Sequence, residues 1–134
     1  MKNLTGKKAI LYRRVSTTEQ KDTGSSLSSQ KEHLTSFCIR NDIEIIKDYE
    51  EDCSAKNFNR PEFGKLLNFV GNNKGEIDYI LVSRWDRFSR NTQESLNKIL
   101  ELKLQNVEVN CIEQWENYED SGQFLMRILN LALP

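Results

Sequence analysis

The sequence predicts an α/β domain: a mostly parallel central sheet of four to five strands flanked by helices. Three observations carry this. Short apolar runs alternate with stretches of helical periodicity, the connections between them are short, and Ile77 to Val82 is apolar almost throughout, like a strand covered on both faces.

The elements follow in order. Lys8 to Tyr12, continuing into Arg13-Arg14-Val15-Ser16, reads as a first strand that ends in a polar break from Ser16 to Gly24. Ser26 or Ser28 can cap a following helix, whose stripe is Leu27, Leu34, Phe37, Cys38 and Ile39, and Asn41-Asp42 stops it. Ile43 to Tyr49 is a second strand, and the polar, aperiodic stretch from Glu50 to Asn59 is a loop. Pro61 suits the first turn of a second helix that buries Phe63, Leu66, Leu67 and Val70 and stops in Gly71 to Gly75. The third strand, Ile77 to Val82, is followed by a polar segment from Ser83 to Asn91. A helix from about Thr92 to Gln105 then carries Leu96, Ile99, Leu100 and Leu104. Val107 to Ile112 is a fourth strand, and a polar link leads to a last apolar helix from about Gly122. Residues 1–121 are read as one domain and 122–134 as the start of a further helix that continues beyond it.

Composition narrows the function. A chain of 134 residues with 37% hydrophobic content can bury one core, so one site is sought. No apolar run approaches the roughly 20 residues that span a bilayer, so no membrane partner is expected and a cytoplasmic location is the default. Cys38, Cys53 and Cys111 are odd in number and lack zinc or redox spacing, which fits a reduced compartment. His33 is the single histidine and falls on a helix surface, so neither metal-histidine chemistry nor a Ser-His-Asp triad is expected. Net charge is −1, yet arginines gather in two short segments, at 13–14 and 84–90. If those segments meet, the local field is positive whatever the sum.

Ligands of open α/β sheets bind beyond the carboxyl ends of the strands. There the first strand delivers Tyr12, Arg14 and Ser16 on one face, with Arg13 and Val15 on the other. The second leads through Ser54 to Arg60, and the third to Arg84, Asp86, Arg87 and Arg90, spaced so that a helical turn presents the arginines together. Planar guanidinium forks suit the oxygens of a phosphate. Neither G-x-x-x-x-G-K-[ST] nor G-x-G-x-x-G occurs, so no nucleotide-binding loop is recognised. Trp85 and Phe88 are read as core. Taken alone, these residues describe an α/β domain with an arginine-rich cleft.

Four motifs sharpen the reading. Tyr12-Arg13-Arg14-Val15-Ser16, Ser26-Leu27-Ser28-Ser29-Gln30, Arg60-Pro61 and Asp86-Arg87-Phe88-Ser89-Arg90 occur in this order. The chain thereby resembles the serine recombinases (resolvases, invertases and serine integrases) over essentially its whole length. Thr23-Gly24 before Ser-Leu looks closer to the large integrases and transposon recombinases. The resemblance implies that Ser16 attacks a DNA phosphodiester and forms a transient 5′-phosphoserine. It implies that Arg14, Arg87 and Arg90 hold the phosphate with help from Arg60, that Asp86 handles the leaving-group proton or orients an arginine, and that Tyr12, Gln20, Gln30 and Ser54 support the site. It further implies double-stranded DNA as partner, a homodimer or homotetramer, a possible accessory protein, and neither cofactor nor metal. The helix from 122 would be the interface helix that leads to a DNA-binding region. Two departures stand out: Arg13 occupies a position that is often small, and Cys53-Ser54-Ala55-Lys56 replaces a glycine-rich turn. Two other readings of the cleft are a non-catalytic module that binds a phosphate or nucleotide, and a phosphoesterase.

Overall fold

The computed structural model describes residues 3–15, 26–52, 60–88 and 92–116. In order these form β1 (Lys8–Val15), α1 (Leu27–Arg40), β2 (Glu44–Asp52), α2 (Pro61–Asn72), β3 (Tyr79–Val82), α3 (Trp85–Phe88), α4 (Thr92–Leu104) and β4 (Glu108–Cys111). The expected last helix lies outside the described residues.

The four strands make one sheet in the order β2-β1-β3-β4, and every pairing is parallel. Parallel neighbours require a crossover, which the helices provide. Alternation along the inner strands explains the two layers. Ala9 and Leu11 of β1, with Tyr79 and Leu81 of β3, face Leu34, Phe37 and Cys38 of α1. Ile10, Tyr12, Ile80 and Val82 face the opposite way, onto Phe63, Leu66 and Val70 of α2, Trp85 and Phe88 of α3, and Ile99 and Leu102 of α4. The expectation that Trp85 and Phe88 are core holds.

Capping chemistry sets the element ends. Ser26 is the cap of α1, its hydroxyl accepting the Ser29 N–H at 3.1 Å. Pro61 opens α2. Asp42 (φ 53°) and Asn106 (φ 62°) adopt the left-handed conformation just past α1 and α4. There the Ile43 N–H reaches back to the Cys38 carbonyl and the Val107 N–H to the Leu102 carbonyl, both at 2.9 Å, so both helices turn into their strands the same way.

Three expectations are corrected. β2 runs on to Asp52, so Glu50 to Asp52 are strand rather than loop. Their polarity misled because β2 is an edge strand, and its acidic residues pair with Arg13 and Tyr12 of β1 instead of packing on apolar neighbours. Ile39 does not belong to the buried stripe of α1; it is 71% exposed, and Gln30 is buried instead. On α4 the buried face is Ser95, Ile99 and Leu102, whereas Leu104 is 86% exposed. The turn into β4 uses the Leu102 carbonyl, which sets Leu102 over the sheet and rotates Leu104 out to solvent.

Cys38 and Cys111 are buried free thiols, and Cys53 lies outside the described residues; His33 is exposed. Phe63 joins three elements, meeting Tyr12 edge-on at 5.3 Å and Phe88 at 5.8 Å between ring centroids. Phe63→Ala is therefore expected to lower stability by about 3–5 kcal/mol, read as a fall in the urea midpoint. Burial pushes the Cys38 thiol from 9.0 up to about 11. A raised folded value favours the folded state fully below pH 9 and loses that contribution as pH rises toward 11. Alkylation by iodoacetamide at pH 8 is expected to be slow at Cys38 until denaturant is added; equal rates in the folded and unfolded chain would contradict this burial.

Candidate active site

The chain leaves β1 in one direction to form β2, and after β2 it crosses to the other side of β1 to form β3. The carboxyl ends of β1 and β3 therefore flank a topological switch point, the place where α/β sheets open a crevice. Arg14 ends β1 beside it, α3 follows β3 into it, and Arg60 reaches it from the start of α2.

The three arginines are buried: Arg14 is 0% exposed, Arg60 3% and Arg87 3%. Arg14 donates from Nε to the Arg87 carbonyl at 2.9 Å and from Nη2 to the Asp86 carbonyl at 2.8 Å. Arg60 donates from Nη1 to the Phe88 carbonyl and to the Tyr12 hydroxyl, the latter at 3.3 Å. Successive carbonyls of the four-residue α3 thus accept from guanidinium groups, which suits the negative end of a helix. Asp86 lies between two arginines, with Arg84 Nη2 at 3.1 Å and Arg87 Nε at 3.5 Å.

Tyr12 connects this group to a buried carboxylate. Its hydroxyl donates to Glu51 Oε1 at 3.1 Å, while the same carboxylate accepts the Phe63 N–H at 2.9 Å and the Glu62 N–H at 3.2 Å. Arg60 is the N-cap residue of α2 and gives no side-chain cap, so Glu51 serves that role from the neighbouring strand. Burial drives the Tyr12 hydroxyl well above its ordinary value, with Glu51 adding to the shift and Arg60 opposing it. Tyr12 is therefore a neutral donor and acceptor, not a phenolate.

Gln30 occupies a comparable position on the other side of β1. β1 pairs with β3 only as far as Leu11. Beyond that point the Gln30 amide takes over: Nε2 donates to the Arg14 carbonyl at 2.9 Å and Oε1 accepts the Arg14 N–H at 3.1 Å. Arg13 points away from Arg14, as alternation requires, and binds Asp48 and Glu50 of β2.

Of the residues singled out by sequence, Tyr12, Arg14, Arg60, Asp86 and Arg87 come together at the switch point, with Gln30 behind Arg14. Ser16, Gln20, Ser54 and Arg90 lie outside the described residues. Arg84 does not join the group: it precedes α3 and is exposed, paired with Asp86, while Arg87 one turn later is buried. Sequence reasoning missed Glu51 because it fell in the supposed loop. Its signal was parity, since Tyr49 and Glu51 alternate along a strand and Glu51 stands opposite Arg14 in the register. Among the described residues no three metal-ligating side chains cluster, and no helix is long and apolar enough to cross a membrane.

This is an all-parallel α/β domain in which buried arginines converge at the switch point. The chain belongs to the resolvase family, the serine site-specific recombinases, whose members act on DNA: residues 9–132 match the model of the resolvase N-terminal domain. It is similar to a serine recombinase from Sulfolobus solfataricus, at 30% identity over 93% of this chain and 82% of that one, with a TM-score of 0.59. A resolvase family site-specific recombinase from Streptococcus pneumoniae is 26% identical over 94% of this chain and 85% of that one, with a TM-score of 0.75. The N-terminal catalytic domain of TP901-1 integrase shares the fold, with a TM-score of 0.77 at 22% identity over 93% of each chain.

Glu51→Gln tests the carboxylate that joins Tyr12 to α2. An amide cannot accept from all three donors at once and sets an N–H₂ against one of them. The expected loss is about 1–3 kcal/mol of stability in urea, and an unchanged midpoint would remove Glu51 from this role.

Proposed function

We propose that this chain cuts and rejoins DNA through Ser16. The Ser16 Oγ gives up its proton and attacks the scissile phosphorus, the Oγ–P bond forms as the bond from phosphorus to the 3′-oxygen breaks, and the 3′-oxygen takes up a proton and leaves as a hydroxyl, so that no proton is gained or lost overall. The 5′-phosphoserine retains the phosphodiester bond energy, so attack by the 3′-hydroxyl of another strand reverses the step without nucleotide or metal. Integration, excision, inversion and resolution are all outcomes of this one exchange.

The observation that carries the proposal is the burial of Arg14, Arg60 and Arg87 at the end of the strand that Ser16 directly follows. A serine hydroxyl is a weak nucleophile. Without a histidine base, the rate must come from positive charge held where the phosphorane builds negative charge. Arg14, Arg87 and Arg90 hold the phosphate with help from Arg60, and Arg14 and Arg60 also hold α3 through its carbonyls. Asp86, paired with Arg87 at 3.5 Å, is assigned to orienting that arginine or to handling the leaving-group proton. Gln20 and Ser54 complete the polar support, and residues 122–134 begin the interface helix. Exchange between two duplexes requires four cuts, hence four copies of the site and a tetramer assembled on double-stranded DNA.

The test is covalent. In cells that express the protein, DNA that stays attached after denaturation is recovered and its linkage mapped by mass spectrometry to a phosphoserine at Ser16. Ser16→Ala is expected to abolish the adduct, and Arg87→Ala to slow its formation by on the order of 3 kcal/mol, or about a hundredfold. An adduct that survives in Ser16→Ala would overturn the proposal.

A further inference from the structure

Arg13 has no part in the mechanism above, yet it is one of the best-bonded side chains of the described residues. Its Nε donates to Asp48 Oδ1 at 2.8 Å and its Nη2 to Asp48 Oδ2 at 2.9 Å, a two-point fork. The same Nη2 reaches Glu50 Oε1 at 2.8 Å. Nη1 then turns to the opposite element and donates to the Leu27 carbonyl at 3.0 Å. Lys31 Nζ stands 4.0 Å from Asp48 Oδ2, so the outer side of the pair is also lined by charge. Arg13 is 2% exposed, and although burial works against its charge, the hydrogen bonds to Asp48 and Glu50 outweigh that and raise its pKa.

The fork's position is what gives it a consequence. Arg13 lies two residues before the end of β1, and Leu27 is the first residue of α1. Residues 16–25, with Ser16 at their head, join these two points. A second tie runs in parallel, since the Gln30 amide binds both the N–H and the carbonyl of Arg14. Both ends of the connection that bears the serine are thus fastened together, one tie made by a neutral amide and the other by a charged fork anchored on β2. Lysine could not replace this arginine, because one ammonium on a flexible stem cannot serve a carboxylate pair and a carbonyl on opposite sides at once.

We propose that Arg13 is a positioning residue for the serine: by locking the start of α1 to the end of β1, it fixes where the Ser16 hydroxyl stands relative to the buried arginines. This rests on the assignment of Ser16 as nucleophile. Misplacing a reacting group by about an ångström can cost about a hundredfold in rate, so loss of the tie acts on the chemical step and not on DNA affinity.

Arg13→Lys and Arg13→Ala, with Asp48→Asn as a third variant, separate the possibilities. Amide hydrogen exchange comes first because it needs no DNA. Arg13→Lys is expected to speed exchange at Arg14 and at Ser29 to Lys31 while leaving β4 and α4 unchanged; exchange unaltered at those amides would overturn the proposal whatever the fate of Ser16. Next, on the duplex recovered as the wild-type adduct, Arg13→Lys is expected to form adduct about tenfold more slowly at saturating DNA with its half-saturating concentration unchanged. Asp48→Asn should do the same, and the Arg13→Lys/Asp48→Asn pair should add little further, since both break one tie. A Ser16-dependent adduct that forms at the wild-type rate in Arg13→Lys would overturn the positioning role alone. An adduct independent of Ser16 would instead overturn the nucleophile assignment, and the two failures are distinct. Should Arg13→Ala fail to fold, Arg13→Lys decides.

Discussion

Everything at the carboxyl end of this sheet depends on buried guanidinium charge being accepted by the backbone of one short helical turn. Arg14 and Arg60 come from different elements, yet they donate to the carbonyls of Asp86, Arg87 and Phe88 in succession. Removing these cations from water costs several kcal/mol each unless fixed dipoles replace the hydration. The exposed carbonyls at the end of α3 are such dipoles, and they need donors just as the arginines need acceptors. The arrangement fixes α3, and with it Asp86 and Arg87, against β1.

The charge balance at this point favours an anionic ligand. Glu51 is the carboxylate bonded into the group, through Tyr12, and it is occupied by two backbone N–H groups of α2. Asp86 offsets Arg84 and Arg87 at the rim. Arginine charge still exceeds carboxylate charge locally, while the chain as a whole carries −1. The sum is acidic because β2, at the sheet edge, is rich in Asp and Glu, and apart from the buried Glu51 those residues bind Arg13 or face solvent. Net charge describes the whole surface and hides the excess of arginine at the switch point.

Neighbouring residues of one strand have divided tasks. Arg14 turns toward α3 and the arginine group, and Arg13 toward β2 and the start of α1. Strand alternation alone produces this division. One side gathers the buried arginines, and the other joins the end of β1 to the start of α1.

The sequence by itself determined the class of fold, the order of elements and the faces of β1, because apolar alternation and helix caps are local properties that neighbouring residues encode. It also singled out Tyr12, Arg14, Arg60, Asp86 and Arg87, through motifs whose spacing survives in one dimension. Only the tertiary structure decided that β2 continues through Glu51, since its polar residues are stabilised by β1 partners some 39 positions away along the chain. It alone decided which face of α4 is buried, for Leu102 and Leu104 are equally apolar and the sheet chooses between them. It alone separated Arg84 from Arg87: both pair with Asp86, yet Arg84 is exposed and Arg87 buried, because what covers this turn is its packing on β1 and β3, strands that neighbouring residues do not encode.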